Sequence, residues 1–310
     1  MIARALLLLS LALALALASP AAADPPLIGI GEQKPGMFDD QRWLRLGLYE
    51  ARYITPWDVL HHPSQLERLD TWMDAARASN TRVLLGFDRS LRSKRLRRSL
   101  PSTREFTREF RRLRARYPSV RDWITWNEAN HPIQPTATRP GRVAQYYRSM
   151  RRNCRRCRIV GADVLDIRSM TSWVRRFARA APRGRHIWGL HNYGDTNGLK
   201  SSGTNELLRI TRTGPVWFTE AGGLVLRREY AGATVKREFR YSHRHAARST
   251  RHVFRLACLS PRIRRVYLYH WQAPLQVTNW DSAFIGPRGG ARPAFRTLRH
   301  QLNGGWSGCS

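Results

Sequence analysis

The stretch Asp122–Glu128, with the sequence Asp-Trp-Ile-Thr-Trp-Asn-Glu, is the part of the chain that best indicates its fold. Aromatic and β-branched residues in such a run are typical of a buried strand. The run ends in a carboxylate, which is costly to bury unless it faces a cleft or a partner. Pro215–Glu220, with the sequence Pro-Val-Trp-Phe-Thr-Glu, repeats the design 92 positions later. Two predicted strands therefore each carry a glutamate at the carboxyl end.

Short apolar strands alternate with amphipathic helices along the rest of the chain. The predicted strands are 27–31, 46–53, 82–88, 122–127, 158–162, 186–191, 215–219 and 265–269. The predicted helices are 63–78, 102–117, 142–152, 171–180, 206–212, 237–258 and 294–302. This alternation predicts parallel strands joined by helical crossovers, and eight such units close a (β/α)₈ barrel. An open doubly wound sheet is the alternative, but it gives no reason for eight evenly spaced strands.

A barrel would place the two glutamates at the same mouth. Glu128 and Glu220 end the fourth and seventh predicted strands. The carboxyl ends of all strands share one face of this fold, where active sites are built. Paired carboxylates about 5–5.5 Å apart are what retaining glycoside hydrolysis requires. Taken singly, each glutamate could instead be a salt-bridged strand end.

These residues resemble clan A of the glycoside hydrolases, the retaining (β/α)₈ enzymes, over essentially the whole mature chain. The segment Trp126–Asn130 is similar to the clan's Asn-Glu-Pro pattern, with Ala129 where proline is usual. The resemblance implies that Glu128 is the general acid/base and Glu220 the nucleophile. It also implies that Asn127 binds the 2-hydroxyl of the sugar.

The same resemblance implies four further substrate-binding residues. Arg52 on the second strand matches an arginine that hydrogen-bonds the nucleophile. His191 and Tyr193, after the sixth strand, match a His/Tyr pair, and Trp271, after the eighth, matches a sugar-stacking tryptophan. Each of these has a structural alternative, as an ion-pair or packing residue. No metal or cofactor is implied.

Two tryptophans in loops of the same face are further candidates. Trp57 and Trp280 are predicted to lie at the mouth of the barrel, where either could serve as a flat platform for a sugar ring. Packing is the alternative for both.

Residues 1–23 are typical of a secretory signal peptide. A single arginine precedes a Leu/Ala-rich stretch, and an Ala-x-Ala site precedes Asp24. The apolar stretch is short for a bilayer span, which needs roughly 20 residues. A retained membrane anchor is the alternative. We therefore expect a secreted, monomeric protein whose mature chain, residues 24–310, forms one barrel domain without membrane contact.

Four cysteines support export. An even number of cysteines in an exported chain favours disulfides over free thiols. Of the three possible pairings, we favour Cys154 with Cys157 and Cys258 with Cys309, the second tying the carboxyl-terminal tail to the barrel wall. A redox or zinc role for the Cys-x-x-Cys motif is the alternative.

The chain is strongly basic. Its formal charge is +32, from 54 basic and 22 acidic residues, and only four of the basic residues are lysines. The arginine bias of a GC-rich genome is one explanation, and attraction to an acidic polymer is another. No motif of a nucleic-acid-binding module is recognisable, so specific nucleic-acid binding is not expected. The basic loop Arg89–Pro101, predicted at the barrel mouth, is a candidate for gripping an anionic glycan.

Two functions remain open on these grounds. The first is a retaining glycosidase acting on a polysaccharide or oligosaccharide, including an anionic one. The second is a catalytically inactive barrel that binds carbohydrate or the cell envelope. A binding protein has no need of both Glu128 and Glu220, with Asn127 before the first.

Overall fold

The described chain forms a closed barrel. A computed structural model describes residues 25–231, 234–276, 279–305 and 309, so the expected signal peptide lies outside the described residues. The strands are Leu27–Gly31 (β1), Glu50–Pro56 (β2), Arg82–Asp88 (β3), Asp122–Ile124 (β4), Arg158–Leu165 (β5), Ile187–His191 (β6), Val216–Ala221 (β7), Leu226–Ala231 (β8), Thr234–Arg240 (β9), Ile263–Tyr269 (β10) and Trp280–Asp281 (β11). Eight of them are parallel neighbours in the closed order β1-β10-β7-β6-β5-β4-β3-β2. The predicted (β/α)₈ barrel is confirmed.

Helices cover the outside of the barrel. They are Gln41–Leu46 (α1), Pro63–Ala78 (α2), Lys94–Arg97 (α3), Thr103–Arg116 (α4), Pro140–Asn153 (α5), Met170–Ala180 (α6), Tyr193–Gly198 (α7), Ser202–Thr211 (α8), His243–Ala257 (α9) and Pro293–His300 (α10). A capping box forms the start of α4: Glu105 N donates to Ser102 Oγ at 3.2 Å, and Ser102 N donates to Glu105 Oε2 at 2.8 Å. The two hydrogen bonds thus satisfy two backbone N–H groups at the start of the helix, where no helical carbonyl is available to them.

Two apolar layers hold the fold together. Inside the barrel, side chains from five of the eight strands meet and are almost fully buried: Leu84, Ile124, Val160, Trp217 and Tyr267. The larger layer lies between the strands and the helices, where apolar helix faces pack on the barrel wall. Together they make the barrel a packed core rather than a pore, as is usual for this fold.

A buried ion cluster fills the amino-terminal end of the barrel interior. Arg265 Nη1 donates to Asp122 Oδ2 at 2.7 Å and to Glu50 Oε2 at 3.1 Å. Its guanidinium carbon lies 4.2 Å from the centre of a ring of Trp217. Buried charges are tolerated when they are paired and hydrogen-bonded in this way. The reactive groups must therefore lie towards the other mouth.

The segment after β7 differs from the sequence prediction. A helix was expected over residues 237–258, but Thr234–Arg240 is the second strand of a hairpin, and the helix begins only at His243. Ser242 sets this start, because its Oγ accepts a hydrogen bond from His245 N at 3.0 Å. β8, β9 and β11 form a small antiparallel sheet beside the barrel mouth.

Strand β4 is also shorter than predicted. It ends at Ile124, and the chain turns through Asn127 and Glu128. The turn stays attached to neighbouring strands, since Asn127 N donates to Phe87 O at 2.7 Å and Ala129 N donates to Asp163 O at 2.8 Å. The backbone of this turn is therefore fixed, although it is not regular strand.

Both expected cysteine pairs are present. Cys154 is joined to Cys157, and Cys258 at the end of α9 is joined to Cys309. The predicted pairing is confirmed. Neither pair leaves a free thiol to act in redox chemistry or metal binding.

Among the described residues, no helix has both the length and the apolar character needed to cross a bilayer.

Candidate active site

The two glutamates meet at the carboxyl-terminal mouth of the barrel. Glu220 is the second-to-last residue of β7, and Glu128 lies in the turn that follows β4. One carboxylate oxygen of each, with a ring nitrogen of His191, lies within 4.8 Å of the others. The pair is partly accessible: 23% of the Glu128 side chain and 13% of the Glu220 side chain are exposed. A ligand in the cleft can therefore touch both carboxylates.

Both oxygens of Glu220 accept hydrogen bonds. Arg52 Nη1 donates to Oε2 at 2.6 Å, and Tyr193 Oη donates to Oε1 at 2.9 Å. The first is a charge-assisted hydrogen bond from a guanidinium, the stronger kind. Glu220 is thereby fixed in position with its charge matched.

Arg52 joins the site into one network. Its Nη2 donates to Asn127 Oδ1 at 2.6 Å, and the side chain is 1% exposed. Asn127 is held from the other side by Asp88, whose Oδ2 lies 3.5 Å from Asn127 Nδ2. Asp88 is itself fixed by Gln134 Nε2 at 2.7 Å. No role was predicted for Asp88, and in the structure its carboxylate holds the side-chain amide of Asn127 in place.

Glu128 stands on a strained backbone beside a histidine. Its φ is +47°, in the left-handed region that non-glycine residues rarely adopt. Its Oε1 lies 3.3 Å from His191 Nδ1. Burial raises the pKa of Glu128, but the hydrogen bond and charge of His191, together with the charges of His131 and Arg52, outweigh burial, and the pKa is lowered.

His191 carries positive charge in this site. Burial disfavours its charged form, but the carboxylates of Asp163 and Glu220 outweigh burial and raise its pKa to about 10. Its Nε2 lies 3.2 Å from Asp163 Oδ2, within ion-pair distance. Asp163, a strand-end residue without an assigned role in the sequence, therefore anchors His191.

The trio Glu128, His191 and Glu220 also has the spacing of metal ligands. The electrostatics are unfavourable for a cation. A histidine must be neutral to bind a metal, whereas His191 has its pKa raised to about 10. The guanidinium of Arg52 already lies 2.6 Å from Glu220.

A cleft of about 840 Å³ opens above these residues. Its lining includes Asn127, Glu128, Tyr193 and Glu220, and Trp280 forms part of one wall. The rings of Trp280 and Tyr193 meet edge to face at 4.6 Å. Trp280 thus lies where a sugar platform was expected.

Trp271, in contrast, lies outside the cleft. Its indole is 1% exposed, donates from Nε1 to Asp40 Oδ2 at 3.1 Å, and packs edge-on against Trp43 and Phe295. The faces needed for sugar stacking are covered, so the structure does not support that role. Tyr269, two residues earlier, lines the cleft instead. The sequence signal for it is its position at the carboxyl end of the eighth barrel strand.

Trp57 also does not line the cleft. Its side chain is instead partly buried against the main apolar core. The loop Arg89–Pro101 is likewise missing from the lining among the described residues. The arginines that do line the cleft, Arg227 and Arg228, come from the unpredicted hairpin strand β8. The loop was expected to supply the basic residues at the barrel mouth, but the arginines that line the cleft belong to the hairpin.

Asp166 is a cleft residue that the sequence did not reveal. Its carboxylate accepts hydrogen bonds from Gly194 N at 3.0 Å and Asp195 N at 2.7 Å. Burial raises its pKa to about 6, against the lowering effect of these backbone N–H groups. It adds an oriented acceptor to the wall that faces Trp280 and the two glutamates.

A closed parallel (β/α)₈ barrel with paired glutamates at its carboxyl-terminal mouth defines the structural class. No family model matches this chain, and no curated protein matches it significantly. Solved structures of the same fold are found.

A GH5_18 structure from Streptomyces cattleya, in complex with GlcNAc, is 16% identical with a TM-score of 0.62, covering 91% of this chain and 81% of its own. Native xylanase 10B from Thermotoga maritima is 10% identical with a TM-score of 0.60, covering 90% and 95%. A β-D-glucuronidase from Dictyoglomus thermophilum is 10% identical with a TM-score of 0.59, covering 90% and 50%. At this identity the likeness shows a shared fold, and the expected resemblance to clan A barrels is confirmed at that level.

Proposed function

We propose that this chain is a secreted retaining glycoside hydrolase, cleaving O-glycosidic bonds of a poly- or oligosaccharide by double displacement. The observation that carries the proposal is the spacing of Glu128 and Glu220, whose nearest carboxylate oxygens lie within 4.8 Å. Retaining enzymes place their carboxyl groups about 5–5.5 Å apart, whereas inverting enzymes leave room for a water, at about 6.5–9.5 Å.

In the first step, Glu220 attacks the anomeric carbon while the glycosidic C–O bond breaks. Glu128, in its protonated form, gives its proton to the departing oxygen. The product is a covalent ester between the sugar and Glu220. The hydrogen bonds from Arg52 and Tyr193 hold the attacking carboxylate in place before the reaction.

In the second step, Glu128 acts as a base. It takes a proton from a water molecule, whose oxygen attacks the anomeric carbon and releases Glu220 as a carboxylate. Because His191 lowers the pKa of Glu128, the protonated form needed for the first step is best populated at acidic pH. We therefore expect an acidic pH optimum.

The remaining residues position the sugar. Asn127 presents an amide fixed by Arg52 and Asp88, suited to a hydroxyl beside the reacting carbon. Trp280 offers an aromatic face to the C–H groups of a pyranose. Three structural neighbours support a carbohydrate substrate: one was solved in complex with GlcNAc, one is a β-D-glucuronidase and one is a xylanase.

The test uses activated aryl glycosides and three variants. Glu220→Ala and Glu128→Ala should each lower kcat at least about a thousandfold, because each removes a group that acts directly in bond cleavage. Added azide should restore turnover in both, giving a glycosyl azide of inverted configuration with Glu220→Ala and of retained configuration with Glu128→Ala. Glu229→Gln, at the cleft rim, is the matched control and should stay within about threefold of wild type.

The rival function is a catalytically inactive carbohydrate- or envelope-binding barrel. It predicts no turnover of any aryl glycoside or polysaccharide by the wild type, with sugar binding that survives both alanine variants. Azide products of the same configuration from both variants would contradict the roles assigned to Glu128 and Glu220.

Export is supported by residues 1–23 and by the two disulfides, which persist in oxidising compartments. Mass spectrometry of the exported protein should find Asp24 at its amino terminus. An intact residue 1 on exported protein would contradict cleavage.

A further inference from the structure

A track of arginine-lined cavities runs across the amino-terminal mouth of the barrel. Cavities of about 420, 400 and 280 Å³ lie side by side, the first two sharing Arg151 and Arg155 and the last two sharing Arg158. They follow the end of α5, the turn before β5 and the starts of β3 to β6. We call the lining of these three cavities the basal track. It lies on the face opposite the cleft, since the cleft occupies the carboxyl ends of the strands.

The first two cavities of the basal track present positive charge almost without compensation. The three cavities are lined by five, four and four arginines. In the third cavity Arg77, Arg82 and Arg158 are paired with Asp74, Glu50 and Asp122, so the unmatched charge lies mainly in the first two. Within the described chain, the carboxylate in their lining is Asp122, which is 2% exposed and already paired with Arg158 and Arg265. Exposed charge of one sign in a concave surface concentrates the local field and attracts ions of the opposite sign.

Outside the first two cavities, several surface arginines are matched by acids. Arg116 pairs with Asp70 at 2.7 Å, and Arg209 pairs with Glu206 at 2.7 Å. A bias in composition from lysine to arginine does not by itself leave two adjoining cavities lined by arginines with a single carboxylate partner among the described residues, that of Arg158.

Several of these arginines are held ready for a ligand. Arg148 Nη2 donates to Ala180 O at 3.0 Å, and the guanidinium of Arg151 lies 5.7 Å from the ring centre of Tyr147. The Cys154–Cys157 disulfide constrains the turn that carries Arg155. Side chains ordered in advance lose less conformational freedom when they bind.

The lining favours a sugar polymer over a nucleic acid. The floor of the central cavity includes the partly buried side chains of Ile187 and Cys157, an apolar base suited to the C–H faces of sugar rings. Its aromatic residue, Tyr147, is 3% exposed and cannot stack on a base. Single-stranded nucleic acids are usually held by exposed aromatic platforms. Arginine forks, in turn, match carboxylates bidentately.

We propose that the basal track binds an acidic polysaccharide, a chain that carries carboxylates at regular intervals, at a site separate from the cleft. Binding there keeps the cleft on the opposite mouth free. It also raises the effective concentration of neighbouring polymer at the cleft. This inference does not depend on the proposed hydrolysis.

The test is a binding titration with polygalacturonate, made on the full chain with Glu220→Gln so that hydrolysis cannot interfere. In this background, Arg151→Ser, Arg155→Ser and Arg183→Ser together should weaken binding about tenfold at low salt. The slope of log K against log salt should fall by about two, because three charges no longer release counterions. The matched control replaces three exposed arginines of α9, Arg244, Arg248 and Arg251, and should change affinity less than twofold. Fully methyl-esterified polygalacturonate should not bind.

Three outcomes would overturn the proposal. Equal losses in both triple variants would mean that net charge alone attracts the polymer. Unchanged affinity in the basal variant would place binding elsewhere. Tighter binding of a DNA duplex of equal total charge, lost in the same basal variant, would reassign the track to nucleic acid. Circular dichroism and unchanged turnover of a small aryl glycoside, measured with Glu220 restored, exclude misfolding of the basal variant.

Discussion

Arg52 donates hydrogen bonds to two residues of the candidate site at once, Glu220 and Asn127. A planar guanidinium can bridge them because its donors lie in a fixed fork, which a lysine ammonium cannot reproduce. Arg52→Lys should therefore lower kcat/KM about a hundredfold while the chain still folds. The kcat/KM for an aryl glycoside tests the loss of activity, and the Tm tests whether the variant still folds. Arg92→Lys, an exposed arginine only 4.0 Å from Asp58, is the control. Retention of kcat/KM within threefold in Arg52→Lys would contradict this role.

His191 sets the pH at which Glu128 gives up its proton. Burial raises the pKa of Glu128, and the hydrogen bond and charge of His191 are the largest of the effects that oppose it. In His191→Gln the opposing charge is gone, so the pKa of Glu128 should rise. The basic limb of the kcat/KM profile should then move to higher pH. His245→Gln, on α9 and away from the cleft, should leave the profile unchanged. A basic limb that stays in place or moves down would refute the coupling.

Asp166 should make stability depend on pH. Burial raises its folded-state pKa to about 6, from an ordinary value of 3.8. Between these values the folded state binds more protons than the unfolded state, so stability falls as pH rises from about 4 to 6. The cost is complete above pH 6 and amounts to at most about 3 kcal/mol. Asn does not titrate, so the Tm of Asp166→Asn minus that of wild type should be larger at pH 7 than at pH 4. A difference independent of pH would contradict the buried carboxylate.

At this scale, the sequence identified strand-end residues better than loop aromatics. Glu128 and Glu220 were located because strand ends in a barrel share a face, and Arg52 was located by the resemblance to clan A. Trp271 was misplaced because the sequence does not reveal which way a side chain turns after a strand ends. Asp166 and Tyr269 were missed because their signal is only a position near a strand end.

Among the elements, the hairpin β8–β9 is the main addition to the barrel. It contributes Arg227 and Arg228 to the cleft wall, and its ends meet where Tyr241 N donates to Val225 O at 2.8 Å. The sequence did not reveal it, because Val235 and Phe239 lie four positions apart, a spacing that fits one face of a helix, and the residues between them are all charged. Local propensity could not separate a short exposed hairpin from the start of a helix.

Removing the hairpin should affect binding more than folding. Leu226 and Arg240 are paired across its base, so an Asn-Gly turn can replace residues 227–239. The Tm should change by only a few degrees, because none of the hairpin side chains that the structure describes belongs to either apolar layer. KM should rise for oligosaccharides long enough to reach the hairpin and stay near wild type for a small aryl glycoside. Equal changes for both substrates would mean that the hairpin supports the catalytic residues rather than the substrate.

For the whole molecule, the barrel was predictable because its evidence is repeated eight times. Each strand–helix unit is weak evidence, but errors in single boundaries, such as the early end of β4, do not change the strand count. The site gained from the same regularity. The basal track was beyond sequence analysis, since its arginines come from four separate segments that only the fold brings together.

The two disulfides constrain the molecule to different extents. Cys258–Cys309 spans 51 positions and Cys154–Cys157 spans three. In the chain-entropy model, closing a loop of the first size raises the free energy of the unfolded state by about 4 kcal/mol at 25 °C, because it lowers the conformational entropy of that state. The shorter loop raises it by about 2 kcal/mol. Cys309→Ser should therefore destabilise the protein more than Cys157→Ser, by about 2 kcal/mol, in denaturant unfolding without reductant. The partner cysteine is changed to serine in each variant as well, so that no free thiol remains. The order should vanish in excess reductant, where all variants unfold alike. If Cys157→Ser is the more damaging change, the shorter bridge must act on the folded state, through the turn that carries Arg155.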